Sequence, residues 1–169
     1  YQFRDGNQCK LDDVGHGFCF WHDPSVDKSG DDIRGRLENV VKEGHCMEGV
    51  YLSHANLEGI NLVCHGKKEG YTFARADLYR ANLRNAHLFH IDLTEASLMK
   101  ADCRDANFNC AKLENTNLLG VKWAGSKFEN IIIGKKVKQE LDAKQAIKQG
   151  KTLESHDLLQ QAEEIYRNL

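Results

Sequence analysis

The sequence predicts an all-β solenoid, a quadrilateral β-helix with an N-terminal capping helix and C-terminal α-helices. Two observations predict it. A large apolar residue recurs at every fifth position through the middle of the chain, and residues twenty apart share chemical character. Neither the 3.6-residue period of a helix nor the two-residue period of a strand produces this spacing. A short repeat of fixed period is typical of a coil that stacks on itself.

The repeat is continuous from Tyr71 to Ile133. We call the large apolar residue of each repeat its centre. The residue two positions before each centre is mostly alanine. The centres are Leu52, Leu57, Leu62, Phe73, Leu78, Leu83, Leu88, Leu93, Leu98, Cys103, Phe108, Leu113, Leu118, Trp123, Phe128 and Ile133. One side per repeat gives a four-sided coil of twenty residues, with both apolar positions inside. Hydrogen bonds between coils then set a spacing of about 4.8 Å.

Stacking predicts buried columns of residues twenty apart, such as Leu78, Leu98 and Leu118. Leu52 precedes Phe73 by 21 residues, which predicts a one-residue bulge or loop within 65–70. Gly66 and Gly70 permit such a bend because glycine tolerates unusual backbone conformations.

These repeats resemble the pentapeptide-repeat family, whose motif is approximately A(D/N)LXX. The resemblance covers about half the chain, with sixteen repeat centres between Leu52 and Ile133. It implies a right-handed quadrilateral β-helix. The best-known activity in the family is mimicry of duplex DNA, which protects or inhibits type II topoisomerases, and this activity requires a strongly negative rod.

The predicted rod is nearly neutral. Between Val50 and Gly134 the chain has nine acidic residues and ten basic ones, and the whole chain has a formal charge of −2. This balance disfavours a gyrase-interacting DNA mimic and also nucleic-acid binding. A local acidic face formed by Asp92, Glu95 and Asp105 leaves the DNA-mimic alternative open.

The N-terminal end of an open solenoid needs a cap that covers its unpaired edge. Residues 29–44 are predicted to form a capping helix because their apolar side chains lie on one helical stripe: Ile33, Leu37, Val40 and Val41. Ser29 or Asp31 is the predicted N-cap, and the helix is expected to end near Gly44.

The C-terminal end changes pattern after Ile133. A helix with apolar Val137, Leu141 and Ile147 is predicted from Lys136 to Gln149, and a second one follows Gly150. The chain therefore divides into a Cys/His knuckle-like segment (1–28), the capping helix (29–44), the β-helix (45–134) and a helical segment (135–169).

Residues 162–169 resemble a helix that follows the repeats in larger membrane-associated pentapeptide proteins. This resemblance implies a cytoplasmic part of a longer parent protein, tethered to the membrane by segments beyond Leu169. The first residue is Tyr1 and not methionine, which indicates that the start is missing. No run of about 18 apolar residues occurs, so no membrane contact is expected within this chain.

A structural zinc site is predicted at Cys9, Cys19 and His22, because a Cys/His pair two residues apart presents both ligands to one metal. The fourth ligand is left open among His16, His45, Cys46 and a residue before Tyr1. The segment resembles modules of the form C…DGxxC…FCxxHD at the front of some pentapeptide proteins. The alternative is three unligated residues that pack with an aromatic cluster of Phe18, Phe20 and Trp21.

No nucleotide-binding, metalloprotease or nucleophile-elbow motif occurs, so the chain is not expected to be an enzyme. The six cysteines lack the spacing of a disulfide framework and are expected to be free thiols. We expect a protein partner, with Tyr79, Phe89 and Met99 as exposed anchors on the solenoid. The solenoid ends or the C-terminal helices are the expected contacts of a homo-oligomer.

Overall fold

A computed structural model describes residues 1–3, 5–15, 17–30, 32–64 and 70–169. Its helices are α1 (Ile33–Lys42), α2 (Lys138–Lys148) and α3 (Thr152–Asn168). Between α1 and α2 the chain forms single-residue parallel bridges and tight turns. One bridged residue per side is too short for an extended strand, so the predicted β-helix consists of isolated bridges.

The bridges join residues twenty apart, as the five-residue period predicts. Thr72 pairs with Asp92, and the same offset joins the next three sides through Asp77–Ser97, Asn82–Asp102 and His87–Asn107. Four repeats therefore complete one turn. We number the turns coil 1 (45–64), coil 2 (71–90), coil 3 (91–110) and coil 4 (111–130). The hand of the coil stays a prediction from the resemblance.

The turn at each corner explains the Asp or Asn of the repeat. The Ala81 N–H donates to the Leu78 carbonyl (3.0 Å), and Arg80 has a φ of 54°. The Asp77 carboxylate accepts a hydrogen bond from the Tyr79 N–H (2.9 Å). This short side chain thus satisfies a backbone donor that faces outward at the corner. The same bond recurs at Asn82, Asp92, Asp102, Asn107 and Asn117.

The columns predicted from the twenty-residue spacing form the core. Leu78, Leu98 and Leu118 are 4%, 0% and 2% exposed. Where the small inward residue is polar, a backbone carbonyl satisfies it. The Thr116 hydroxyl donates to the Leu93 carbonyl (2.8 Å), and the Ser126 hydroxyl donates to the Cys103 carbonyl (2.7 Å). Polar residues at these positions therefore leave no hydroxyl unpaired in the core.

The register between coils 1 and 2 differs from the prediction. Tyr51 pairs with Asp77, 26 residues on, and Asn56–Asn82 and Asn61–His87 have the same offset. Leu52 therefore lies beneath Leu78 and not beneath Phe73, and the insertion is six residues long. The predicted one-residue bulge is therefore wrong. An insertion of one residue and an insertion of six residues both preserve the five-residue period of the sequence, so the period did not distinguish them. Most of the insertion, 65–69, lies outside the described residues.

Helix α1 covers the free edge of coil 1. It buries Ile33, Leu37, Val40 and Val41, as its apolar stripe predicts. The Arg34 guanidinium donates to the Glu58 carbonyl (2.9 Å), and the Glu38 carboxylate accepts from the Asn61 N–H (2.9 Å). Edge groups of coil 1 thus find partners on the helix. Asp32 is the N-cap residue in place of the predicted Ser29 or Asp31, and it makes no side-chain capping bond.

Helices α2 and α3 pack on each other and on the last coil. Val137, Ala162 and Ile165 join the core, and the Gln139 amide donates to Asn117 (2.7 Å). The three apolar residues predicted for α2 do not share one environment. Val137 is buried, whereas Leu141 and Ile147 are exposed. In the described part of the chain, no helix has the length and apolar character needed to cross a membrane.

Candidate metal centre and interaction surface

Two small hairpins position the predicted cysteine ligands. Antiparallel bridges join Gln2 to Gln8 and Asp13 to Cys19, so that Cys9 and Cys19 lie at the ends of their hairpins. In the second hairpin the Asp13 carboxylate accepts hydrogen bonds from the Gly15 N–H (2.7 Å) and the Gly17 N–H (3.0 Å). Both glycines have positive φ, a conformation that the tight turn requires.

The structure brings Cys9, Cys19 and His22 together. The two Sγ atoms are 3.5 Å apart, and Cys19 Sγ is 3.0 Å from His22 Nδ1. All three ligand atoms lie within 4.8 Å of one another. A turn after Cys19 causes the approach, because its carbonyl accepts from the N–H groups of both His22 and Asp23 (3.0 Å each).

His22 is oriented by its second ring nitrogen. Its Nε2 lies 2.9 Å from the Glu48 carbonyl, which can only accept, so Nε2 carries the proton. In the neutral ring, Nδ1 is then the nitrogen without a proton, and it faces the Cys19 sulfur. The ring is fully buried and stacks on Tyr1, with centroids 4.3 Å apart. A backbone carbonyl that fixes the tautomer in this way is the usual outer partner of a metal-binding histidine.

A tetrahedral zinc site needs a fourth ligand. Among the described residues, no other His, Cys or carboxylate joins the three-residue cluster. His45 and Cys46 line a cavity of 290 Å³ together with Cys9, and burial raises the pKa of the Cys46 thiol. His16 lies outside the described residues.

Two of the three residues of the alternative aromatic cluster, Phe20 and Trp21, pack together. Phe20 and Trp21 pack edge-on with centroids 5.0 Å apart, and Trp21 is buried. Phe18 is 37% exposed, so it does not complete the predicted three-residue aromatic cluster.

Glu48 connects the Cys/His segment to the solenoid. Its carbonyl accepts from His22, and its carboxylate pairs with Arg75 on coil 2. Sequence reasoning missed this residue, since the contact depends on the six-residue insertion between coils 1 and 2. No local motif marks it.

Tyr79 and Met99 lie in one outward-facing column, and Leu119 continues it. The Arg80 N–H bonds the Met99 carbonyl (3.0 Å), and the Lys100 N–H bonds the Leu119 carbonyl (2.9 Å). We call Tyr79, Met99 and Leu119 the apolar stripe. All three side chains are half-buried, whereas the sequence predicts Tyr79 and Met99 to be exposed. The twenty-residue spacing, applied to outward positions, would have identified Leu119.

Phe89 belongs to a different corner, two sides away from Tyr79. The His90 N–H bonds the Asn109 carbonyl (3.0 Å), so the residue above Phe89 in its column is Asn109. Phe89 packs edge-on against His90, with centroids 4.3 Å apart. The three predicted anchors therefore do not form one continuous surface.

The cysteines of the repeats differ in environment. Cys103 is fully buried, and burial raises the pKa of its thiol. It therefore packs as a small apolar side chain. Cys64 and Cys110 are half-buried, and all six cysteines are free thiols.

Comparison with known protein families agrees with this fold. Residues 76–115 match the family described as pentapeptide repeats, in eight copies. This segment is a pentapeptide-repeat solenoid, and the resemblance carried by its A(D/N)LXX motif is confirmed. Comparison with curated protein sequences finds no significant match.

Several solved pentapeptide repeat proteins are similar over part of the chain. HetL, involved in heterocyst differentiation regulation in the cyanobacterium Nostoc, is 23% identical over 50% of this chain and 51% of its own, with a TM-score of 0.27. A protein of the Arabidopsis thaliana thylakoid lumen is 28% identical (50% and 62%, TM-score 0.22). QnrB1, a plasmid-mediated fluoroquinolone resistance protein, is 15% identical (50% and 59%, TM-score 0.25). Each match spans less than two thirds of the solved chain.

Proposed function

We propose that this chain is a non-enzymatic protein-interaction or scaffolding module that recognises its partner through the apolar stripe. One observation carries the proposal. In coils 2 to 4, the equivalent columns of the other three corners are Ala74–Thr94–Glu114, Arg84–Arg104–Ala124 and Phe89–Asn109–Glu129. The corner with Tyr79, Met99 and Leu119 is the one that presents three large apolar side chains in succession.

The backbone beneath the stripe is rigid, which favours recognition. Each stripe residue follows a buried core residue and lies in a turn that is hydrogen-bonded to a neighbouring coil. Tyr79 also packs edge-on against His54, with centroids 5.5 Å apart. Side chains that are already ordered lose little conformational entropy on binding, so more of the contact energy contributes to affinity.

Alanine substitution of the stripe tests the proposal. A partner captured from cells of the source organism is purified, and its affinity is measured for the wild-type chain and for Tyr79→Ala/Met99→Ala. We expect the double variant to bind at least about thirtyfold more weakly, because buried anchors contribute roughly 2 kcal/mol or more. Circular dichroism should show an unchanged fold.

Phe89→Ala is the matched control, since it removes an aromatic ring of similar burial from a different corner. We expect it to leave the affinity unchanged. If Phe89→Ala weakens binding while the double variant does not, the partner binds another face and the stripe is not the recognition surface.

We also propose that Cys9, Cys19 and His22 hold a structural zinc ion, with the fourth ligand supplied by His16, Cys46 or a residue before Tyr1. The mutual approach of the three ligand atoms and the tautomer of His22 support this proposal. Bound zinc would add its binding free energy to the folding of the hairpins, because an unfolded chain offers no preformed site. His22 and Glu48 would orient the site, and the buried His22 ring would exclude water from one side.

The alternative function is a gyrase-interacting DNA mimic. Nine acidic against ten basic residues between Val50 and Gly134 oppose it. A supercoiling assay with purified gyrase distinguishes the two, since a protein-interaction module that does not imitate DNA leaves gyrase activity unchanged.

A further inference from the structure

A groove of about 510 Å³ lies at the foot of the apolar stripe. One wall is the loop 24–29, which connects the Cys/His segment to α1. The other wall is the corner of coils 1 and 2, with Tyr51, Ser53, His54 and Asp77. The Ser53 hydroxyl donates to the Tyr79 carbonyl (3.3 Å), so the groove continues directly into the stripe.

Internal hydrogen bonds hold the loop wall in place. The Asp23 carboxylate accepts from the N–H and the hydroxyl of Ser25 (2.8 and 2.6 Å). The Lys28 ammonium turns inward and donates to the carbonyls of Asp23 (2.7 Å) and Val26 (3.2 Å). Lys28 also lines the groove, but it is only 3% exposed and its ammonium is held by these backbone carbonyls.

The groove presents two carboxylates whose hydrogen-bond donors are neutral. Asp27 accepts from the N–H (2.9 Å) and the hydroxyl (3.0 Å) of Ser29, and these bonds lower the pKa of Asp27. Asp77 accepts from the Tyr79 N–H. The Lys28 ammonium offsets one of these two charges, so the groove keeps a net negative charge that attracts a cation.

Aromatic rings complete the groove wall. Tyr51 is 36% exposed, and the exposed His54 ring packs edge-on against Tyr79. The Arg80 guanidinium already lies over the Tyr79 ring, 5.3 Å from its centroid. Aromatic faces beside carboxylates form the environment that accepts a cationic side chain with an aliphatic stem.

We propose that this groove accepts a lysine or arginine side chain of the partner protein that lies along the apolar stripe. The inference rests on the proposed interaction function and specifies the partner's chemistry: apolar residues against the stripe and a basic residue at its foot. Three features support this inference: the concave shape of the groove, its two carboxylates and its continuity with the apolar stripe.

A titration of the full ¹⁵N-labelled chain with acetyl-Gly-Arg-Gly-amide, followed by NMR, tests the groove. We expect saturable shifts at Ser29, Tyr51 and His54. The peptide with citrulline in place of arginine has nearly the same shape without the charge, and we expect it to produce no saturable shift. Spermidine serves as a cation without a peptide backbone and should bind more weakly than the arginine peptide.

The chain supplies matched charge variants. Asp77→Asn removes a charge and keeps the turn, because Asn82 at the same repeat position accepts the equivalent bond from the Arg84 N–H (3.2 Å). Asp92→Asn makes the identical change on another side of the solenoid. We expect Asp27→Asn and Asp77→Asn each to weaken peptide binding about fivefold, as for one exposed ion pair, and Asp92→Asn to have no effect.

Three results would overturn the groove assignment: equal binding of the citrulline peptide, an equal loss from Asp92→Asn, or tighter binding of spermidine. The partner assay separates this inference from the proposed function. If Asp27→Asn/Asp77→Asn retains full partner affinity while Tyr79→Ala/Met99→Ala loses it, the groove is refuted and the stripe remains the recognition surface.

Discussion

The third residue of each corner turn adopts a left-handed conformation that most amino acids avoid. Positive φ occurs at this position at Arg80, Lys100 and Asn115, with values of 54°, 60° and 56°, and glycine fills it at Gly59, Gly120 and Gly125. A side chain branched at Cβ crowds the backbone in this region, whereas asparagine tolerates it. No valine, isoleucine or threonine is found among the residues with positive φ in the described part of the chain.

Lys100 tests this requirement because its side chain is exposed. We expect Lys100→Val to lower the free energy of unfolding by about 1–2 kcal/mol, and Lys100→Asn to change it by less than about 0.5 kcal/mol. Chemical denaturation measures both. Equal stabilities of the two variants would contradict the role assigned to the left-handed residue.

At the scale of the repeat, the stability of a coil depends on its buried columns. Each side contributes one bridged residue, so the backbone alone provides little cooperative pairing. Leu98 is 0% exposed and lies between Leu78 and Leu118, whereas its neighbour Met99 is half-buried at the surface. Burial of the inward column, and not the outward stripe, is therefore expected to hold coils 2 to 4 together.

We predict that Leu98→Ala lowers the free energy of unfolding by about 3 kcal/mol, because the closely packed column cannot fill the cavity. Met99→Ala, one residue along, should cost less than about 1 kcal/mol because its side chain keeps contact with solvent. Urea denaturation of the two variants provides the measurement. Similar losses would show that the outward residue also belongs to the core.

Across the whole molecule, the Cys/His segment is mechanically linked to the first coils. His22 bonds the Glu48 carbonyl, the Glu48 carboxylate pairs with Arg75, and the Tyr51 N–H bonds the Trp21 carbonyl (2.9 Å). A ligand that orders His22 therefore also restrains the edge of coil 1. Among the described residues, no hydrogen bond joins the Cys/His segment to coil 4, which contacts α2 through the bond from Gln139 to Asn117.

If zinc is bound as proposed, the purified chain should contain about one zinc ion per molecule, and Cys19→Ser should lose it. Chelation should lower the melting temperature and increase hydrogen exchange at Leu52 and Leu57, with little change at Leu113. Cys110→Ser is the control, since this cysteine lies outside the cluster and should leave zinc content unchanged. Retention of zinc by Cys19→Ser would refute the ligand set.

The sequence by itself determined the period, the inward positions of the repeats and the stripe of α1 that covers them. It also identified Cys9, Cys19 and His22 as a group, because two of them lie in one tight turn. These features are local or repeat at a constant interval, so they can be read without knowing the path of the chain.

Only the tertiary structure decided the six-residue offset of coil 1, the separate corners of Tyr79 and Phe89, and the exposed residues of α2. The offset places Glu48 beside Arg75 and sets Tyr51 below Asp77 and Ser53 below Tyr79, so the groove depends on it as well. The physical reason is that hydrogen bonds between coils join residues far apart in sequence. A period of five is equally compatible with insertions of one or six residues, and only that pairing distinguishes them.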